Sequence, residues 1–465
     1  MSHSIKIKKG LDIPLGGDAE RIVVDMRGIE RYAVKPPDVV GFTPRLLVSE
    51  GDTVSAGQPL VADKRDPRLT LPAPVSGTVA AIVRGDKRRL MEVVINSEAS
   101  IASGNTGNSV LSPESPCWWM LRERPFGTIA NPNHTPKGIF VSMLDTNPLA
   151  PDMDFALRGR EQEFEAGLQA LAALAPLHLA MPRGSKHHFH APNLMVHTVE
   201  GPHPAGNVGT QIAAISPINK GECVWTVGAQ DVANIGRWTL TGQYRPERVI
   251  TVAGPAAKAP KYYRLTVGAC LQHITDAQLM NPGYPSISSS TSTTSLTSST
   301  RIISGSPLSG TTVAPDGFLG MYDHQVTLLT EGDQYEFMGW LMPGISKFSF
   351  SKTFASGILN PFMKMLPLDF LGLPKPTYKF NTNLHGSVRP FLFSGQFEQV
   401  FPFDIYPQQL IKACIISDIE LQEQLGIYEV EPEDFALCEY IDPSKTEIQT
   451  IIREALEVLR KEATA

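Results

Sequence analysis

The sequence predicts a multidomain α/β protein: a small β-sandwich first, then a mostly parallel sheet covered by helices, then a helical end. Three observations carry this. Residues 41–84 hold short apolar runs, each closed by a turn signal; from residue 116 strand-like runs alternate with helical periodicity; and residues 401–465 repeat apolar residues at helical spacing. A chain of 465 residues holds about three cores at ~150 residues each.

The apolar runs of the first unit lie at residues 46–48, 60–61 and 79–83, separated by Glu50-Gly51-Asp52, Ala56-Gly57-Gln58-Pro59, Pro72-Ala73-Pro74 and Ser76-Gly77. Gly51, Gly57 and Gly77 suit turns that need positive φ, while Pro59, Pro72 and Pro74 fix φ and cannot donate to a central ladder. Upstream, Ile5 and Ile7 alternate with Lys6 and Lys8 as a half-buried strand. Residues 97–116, rich in Ser, Asn, Gly and Pro, read as a linker, which bounds a first domain at 1–110.

The second domain, 116–255, takes its strands from residues 139–144, 177–181, 194–199, 224–227 and 248–253. Asp152 or Asp154 can cap a helix carrying Leu157, Phe164, Leu168, Leu171 and Ala175. Strand, helix, strand in this order predicts a parallel sheet whose ligands sit beyond the carboxyl ends of strands. One connection has the form of such a site: Val199-Glu200-Gly201-Pro202-His203-Pro204-Ala205-Gly206-Asn207-Val208-Gly209-Thr210 leaves a strand and opens a helix. Gly201, Gly206 and Gly209 allow close backbone approach there, though the spacing is not GxGxxG.

Residues 256–330 begin with a strand at 261–268 followed by a short helix, and contain an insertion, 286–300, of almost pure Ser and Thr that cannot bury apolar area and is expected to be mobile. Residues 331–400 form a β-rich connecting region. Its apolar stretch at 354–370 packs inside the chain or forms a contact with another subunit. In 401–465 one helix is predicted over 406–425, and Ser444-Lys445-Thr446-Glu447 reads as a capping box opening a helix with Ile448, Ile451, Ile452, Ala455, Leu456 and Leu459.

Bulk numbers exclude several functions. A net charge of -6 with mixed signs argues against a nucleic-acid surface. Five cysteines without a CxxC pair give neither a disulfide framework nor a zinc motif. No signal peptide is expected after Met1-Ser2-His3-Ser4. The longest apolar tract, 166–181, is broken by Gln169, Pro176 and His178 and falls short of the ~20 residues of a membrane span. The chain is therefore expected to be soluble and to reach a membrane only through a partner. His187, His188 and His190 cluster in one loop, but neighbours in an extended segment point to opposite sides, so a contact loop is expected there rather than a metal site. No catalytic nucleophile with a base, P-loop or metal set is found.

Two resemblances sharpen this. Val48-x-Glu50-Gly51-Asp52-x-Val54-x-x-Gly57-Gln58-x-Leu60 followed by Ala73-Pro74-x-Ser76-Gly77-x-Val79 resembles the biotinyl/lipoyl-type barrel-sandwich domain. Carriers of that type hold their cofactor on a lysine at a hairpin tip; Lys64 is the match, but its loop is about two residues too long and contains Pro67, so it reads as a solvated lysine. Over a wider span, 5–17, Arg122-Glu123-Arg124-Pro125-Phe126, Met143-Leu144-Asp145-Thr146-Asn147-Pro148-Leu149, 302–310, Gly339-Trp340, Asp434-Phe435-Ala436-Leu437-Cys438 and Pro443-Ser444-Lys445 resemble the A subunit of the bacterial sodium-translocating NADH:quinone oxidoreductase.

That resemblance implies a Rossmann-like, flavin-domain-like second domain, a β-grasp-like module at 256–330 and a helical end. It also implies a peripheral component on the cytoplasmic face of the bacterial inner membrane, in a six-subunit complex that oxidises NADH, reduces ubiquinone and exports Na⁺. FAD, FMN, riboflavin and iron–sulfur centres would belong to the partners, of which the integral membrane B subunit would be the chief contact, and no cofactor to this chain. Gly201, Gly206 and Gly209 would then be a vestigial flavin-site loop, or turn residues alone. Related subunits hold tetranuclear clusters on repeated cysteines, whereas here Cys438 stands by itself and Asp442 occupies a ligand position. Arg122, Arg124 and Phe126 would lie near the quinone, or pair with acidic groups and dock the protein. The alternatives are a stand-alone assembly scaffold and a carrier modified at Lys64.

Overall fold

The computed structural model describes residues 4–26, 28–98, 110–279, 300–333, 342–344, 346–352, 354–356, 377–392 and 395–463. Most of the Ser/Thr insertion, most of the 354–370 stretch and Gly339-Trp340 lie outside these. Among the described residues the strands form four sheets.

Two small sheets make the sandwich. One orders Arg31–Val34, Leu90–Ser97, Gly77–Arg84 and Thr53–Val54; the other orders Pro44–Leu46, Pro59–Asp63 and Thr70–Pro72. Val54, Leu60, Val61, Leu71, Val79, Val93 and Ile95 fill the space between them. Gly51 and Gly57 have φ of 89° and 86°, as their turns require. Gly77 differs: its φ is not positive, and a Cβ there would stand 2.0 Å from the Asn96 carbonyl oxygen, so the constraint is the close approach of a neighbouring strand.

The second unit is a seven-stranded sheet ordered Ser4–Lys6, Leu194–Glu200, Leu177–Pro182, Ile139–Ser142, Val224–Gly228, Arg122–Arg124, Thr128–Ile129. The first five run parallel, Arg122–Arg124 is antiparallel to the fifth, and Thr128–Ile129 is antiparallel to Arg122–Arg124. Because strand side chains alternate between faces, Ile139 and Val141 meet Phe164, Leu168 and Val232 on one side, while Phe140 meets Ile212 and Val224 on the other. Both faces are thus covered by helices, as a parallel sheet requires.

The third unit is a mixed six-stranded sheet: Thr311–Val313, Thr300–Ser304, Gln325–Thr330, Glu247–Ala253, Lys261–Thr266 and Glu20–Asp25. Residues 248–253 form a strand as expected, yet pair here and not in the parallel sheet. Glu20–Asp25 and Ser4–Lys6 likewise leave the sandwich for the two larger sheets. Which sheet a strand joins is chosen by tertiary packing, here with partners as distant in sequence as Glu20 and Lys261, and local periodicity does not encode it.

At the C-terminus Pro407–Ile415, Ile419–Gln424, Ala436–Ile441 and Ile448–Ala463 pack around Phe397, Phe401, Leu410, Phe435, Ile452 and Leu456. The single helix predicted over 406–425 is two, because Ser417 turns left-handed at φ 57° and Asp418 caps the next helix by accepting from the Leu421 amide. The expected capping box at Ser444 is also replaced: Asp442, fully buried, accepts from the amides of Ser444 at 3.1 Å and Thr446 at 2.9 Å. At the position where a cluster ligand would stand, Asp442 organises a turn.

Helices Glu161–Ala172 and Ala229–Thr241 touch backbone to backbone through two glycines. A Cβ on Gly236 would lie 1.7 Å from the Glu163 carbonyl oxygen, and one on Gly167 2.0 Å from that of Val232. Alanine favours a helix interior over glycine by ~1 kcal/mol, but neither carbonyl can yield without separating the helices. Gly236→Ala is therefore expected to lose about 1–3 kcal/mol in urea unfolding despite its better propensity; a stabilised variant would disprove this contact.

Candidate functional site

The glycine-rich connection and the Arg-x-Arg-Pro-Phe segment, about 80 residues apart in sequence as the numbering shows, meet at one seam. The parallel sheet delivers both. Leu194–Glu200 ends at Gly201, and the chain then turns into helix Val208–Ile215, while Arg122–Arg124 lies at the antiparallel edge. Each of the three glycines is in contact with another part of the chain. A Cβ on Gly201 would lie 2.5 Å from the Ile7 carbonyl oxygen, one on Gly206 2.5 Å from the Thr146 amide nitrogen, and one on Gly209 2.5 Å from Arg124 Nη1 and from both carboxylate oxygens of Asp434.

The N-terminal ribbon closes one side of the loop. The Ile7 amide donates to the Glu200 carbonyl at 2.9 Å and the Leu11 amide to the His203 carbonyl at 2.8 Å, while Asp12 Oδ1 accepts from the His203 amide at 2.9 Å. Thr146 closes another, its hydroxyl accepting from the Gly206 amide at 2.9 Å and lying 3.1 Å from His203 Nδ1. The third side is filled by the acidic segment Glu431-Pro432-Glu433-Asp434 of the helical unit. Arg124, 2% exposed, donates through Nη2 to Glu433 at 2.6 Å and through Nη1 to Asp434 at 3.1 Å, with Glu431 3.6 Å away. Arg122 reaches Glu431 at 3.4 Å and lies over the Tyr322 ring at 5.1 Å.

The Asp434 carboxylate sits against Gly209 in the first turn of the helix, its Oδ2 accepting from Arg124 at 3.1 Å and from the Glu431 amide at 2.9 Å. Burial, helped by the charges of Glu433 and Glu431, raises the Asp434 carboxyl above its usual range against the pull of Arg124. The ribbon, Thr146 and the Arg124–Asp434 pair thus pack against the three glycines of this loop from within the chain.

Phe126 is half-buried, edge-on to Tyr428 at 6.4 Å, and its carbonyl accepts from Arg453 at 2.9 Å. Sequence reasoning thus finds the arginines and the glycines but misses the acidic segment that joins them. The run Glu431, Glu433, Asp434 was the available signal.

A cleft of about 450 Å³ opens at the carboxyl ends of Ile139–Ser142 and Leu177–Pro182. Asp18, Asp145, Asp152 and Asp154 line it, and its one guanidinium, Arg21, is held by Asp152 at 2.6 Å. Burial raises the Asp145 carboxyl.

The other predicted positions are plain. His187 stacks on Phe189 at 5.5 Å and stands 3.8 Å from Asp154, while His188 and His190 are exposed. Lys64 is exposed in the hairpin loop, its amide bound to the Thr43 carbonyl at 2.9 Å. Cys438 is 1% exposed within the helical core, where burial pushes its thiol well up. Among the described residues no helix is long and apolar enough to cross a membrane.

Similarity to known proteins extends over the whole chain. A family model described as the NqrA N-terminal barrel-sandwich hybrid domain matches residues 5–98, and one described as the NqrA second alpha/beta domain matches 110–244. Relatives named as the A subunit of Na(+)-translocating NADH-quinone reductase include that of Rhodopirellula baltica, 36% identical with 98% of each chain covered. That of Histophilus somni (strain 2336) is 35% identical over 98% of this chain and 100% of its own. The Haemophilus influenzae Rd protein gives the same identity and coverage.

Two outcomes follow from the seam. Arg124→Ala leaves Asp434 and Glu431 buried without their central cation and is expected to cost about 3–5 kcal/mol in denaturant unfolding; a loss under 1 kcal/mol would refute the clamp. His203, 2% exposed, is lowered by burial from 6.5 to about 4, so the unfolded chain binds its proton first as pH falls. Stability from this group is complete above about pH 6.5 and is lost between 6.5 and 4, on the order of 3 kcal/mol in all. His203→Asn should flatten that part of the stability–pH curve; an unchanged slope would show that His203 does not set it.

Proposed function

The chain belongs to the family of the A subunit of Na(+)-translocating NADH-quinone reductase, and we propose that it is the peripheral, cofactor-free member of a complex that couples NADH oxidation and ubiquinone reduction to Na⁺ export. In this reading it sits on the cytoplasmic face of the bacterial inner membrane, held by an integral membrane partner, the B subunit. Flavins and iron–sulfur centres are carried by the other members of the complex.

One observation carries the proposal that no flavin is bound here: the glycine loop of the Rossmann-like domain is filled by the chain's own Arg124, Asp434, Thr146 and N-terminal ribbon. The acidic lining of the adjoining cleft supports it further. The mixed sheet built on Lys261–Thr266 and helix Gln272–Gln278 would be the β-grasp-like module of the same plan.

Arg124 is the internal clamp in this reading, because a guanidinium 2% exposed and paired with carboxylates is committed to partners within the chain. Arg122 and Phe126 differ. Both are partly exposed, Arg122 over the Tyr322 ring and Phe126 edge-on to Tyr428, and aromatic faces beside a guanidinium donor suit a quinone headgroup. We therefore assign quinone proximity, or docking next to it, to the Arg122–Phe126 edge.

The assembled complex should report this. With Arg122→Ala and Phe126→Ala together, the protein is expected to co-purify normally with its partners while the KM for quinone rises about tenfold, which is ~1.4 kcal/mol of binding. Normal assembly with unchanged quinone kinetics would remove the quinone assignment. Loss of assembly would make the edge a docking surface.

A further inference from the structure

We propose that Glu123, His134 and Cys223 form a divalent-metal site of the zinc type at the antiparallel edge of the seven-stranded sheet. Among the described residues they are the set of three whose ligand atoms converge, all lying within 4.8 Å of one another. They come from three places: strand Arg122–Arg124, the turn beyond Thr128–Ile129, and the residue just before strand Val224–Gly228. Pairing of Glu123 with Trp225 across the sheet brings Cys223 beside the carboxylate. No local motif announces such a set, since 11 residues separate the first two and 89 the last two by residue number.

The carboxylate is built to present one oxygen. Glu123 is 6% exposed, and its Oε2 accepts from the Trp225 indole N–H at 2.9 Å and from the Asn131 amide at 3.1 Å. Its Oε1 faces His134 Nδ1 at 2.8 Å. Hydrogen bonds that orient a ligating group in this way typify metal sites. Trp225 is in turn braced edge-on by Trp118 at 5.6 Å, which makes a dry and rigid floor. Cys223 Sγ lies 3.7 Å from the Thr135 carbonyl oxygen, and His134 is half-exposed, leaving an open side for entry and for a water as fourth ligand.

Zinc bonds of about 2.0–2.3 Å bring tetrahedral ligand atoms to roughly 3.5 Å from each other, so the set must contract by about 1 Å at its widest. The His134 turn and the Cys223 thiol can supply that movement, whereas Glu123 is fixed. On binding, the metal takes the place of the proton between Glu123 Oε1 and His134 Nδ1, that proton shifts to His134 Nε2 as the neutral imidazole changes tautomer, the thiol proton leaves to solvent, and Cys223 ligates as thiolate. Imidazole, thiolate and carboxylate together favour Zn²⁺ or Co²⁺, and a thiolate selects against Mg²⁺ and Ca²⁺, which take oxygen. The ion would staple the turn at residues 131–135 to the sheet edge that carries Arg122 and Arg124.

Metal-stripped full-length protein titrated with Co²⁺ tests this. The expected result is a thiolate-to-cobalt charge-transfer absorption that saturates at one ion per chain, disappears in Cys223→Ser and needs at least tenfold more Co²⁺ in His134→Ala. Zn²⁺ should abolish the band by competition and raise the thermal midpoint of the wild-type chain but not of either variant. Absence of the band, or a band that survives Cys223→Ser and so reports another of the five cysteines, overturns the proposal.

Discussion

The ion cluster around Arg124 is the constraint to which the other parts of this molecule are fitted. One guanidinium, buried to 2% exposure, holds Glu433 and Asp434 from the helical unit against the edge of the parallel sheet. Charges taken out of water are tolerated only when each is paired, so the strand, the glycine-rich loop and the C-terminal segment must be present together for any of them to be stable there. The pairing also explains why Gly209 carries no side chain, since the Arg124–Asp434 contact occupies the space a Cβ would need.

Glycine serves here mainly as permission for backbones to touch, and the loop between Leu194–Glu200 and Val208–Ile215 shows the consequence. Elsewhere such a loop leaves room for phosphate at a helix N-terminus. In this chain the N-terminal ribbon, Thr146 and an internal carboxylate pack against the loop, and the adjoining cleft is lined by aspartates. The strand–loop–helix connection therefore serves here as a packing junction between the parallel sheet, the N-terminal ribbon and the helical unit.

The antiparallel edge of the sheet serves two purposes at once. Successive residues of Arg122–Arg124 point to opposite faces, so the arginines turn toward the acidic segment while Glu123 turns toward Trp225, His134 and Cys223. Three consecutive residues thereby bind the helical unit on one face and, on the other, the turn that follows the strand pair.

Local features were legible in the chain before any fold was known. Turn chemistry around Gly51 and Gly57 pointed to the sandwich, alternating periodicity to the parallel strands and their helices, and the residue pattern over the whole length to the family. These follow from backbone sterics and side-chain period, which neighbours in the chain decide. Assembly in three dimensions was needed to settle which sheet Glu247–Ala253, Glu20–Asp25 and Ser4–Lys6 join, that Asp442 and not Ser444 shapes the turn before the last helix, and that Arg124 meets Asp434. It also gathered Glu123, His134 and Cys223. Those contacts depend on burial and charge pairing between segments far apart in sequence, where one arginine looks like any other until its surroundings are assembled.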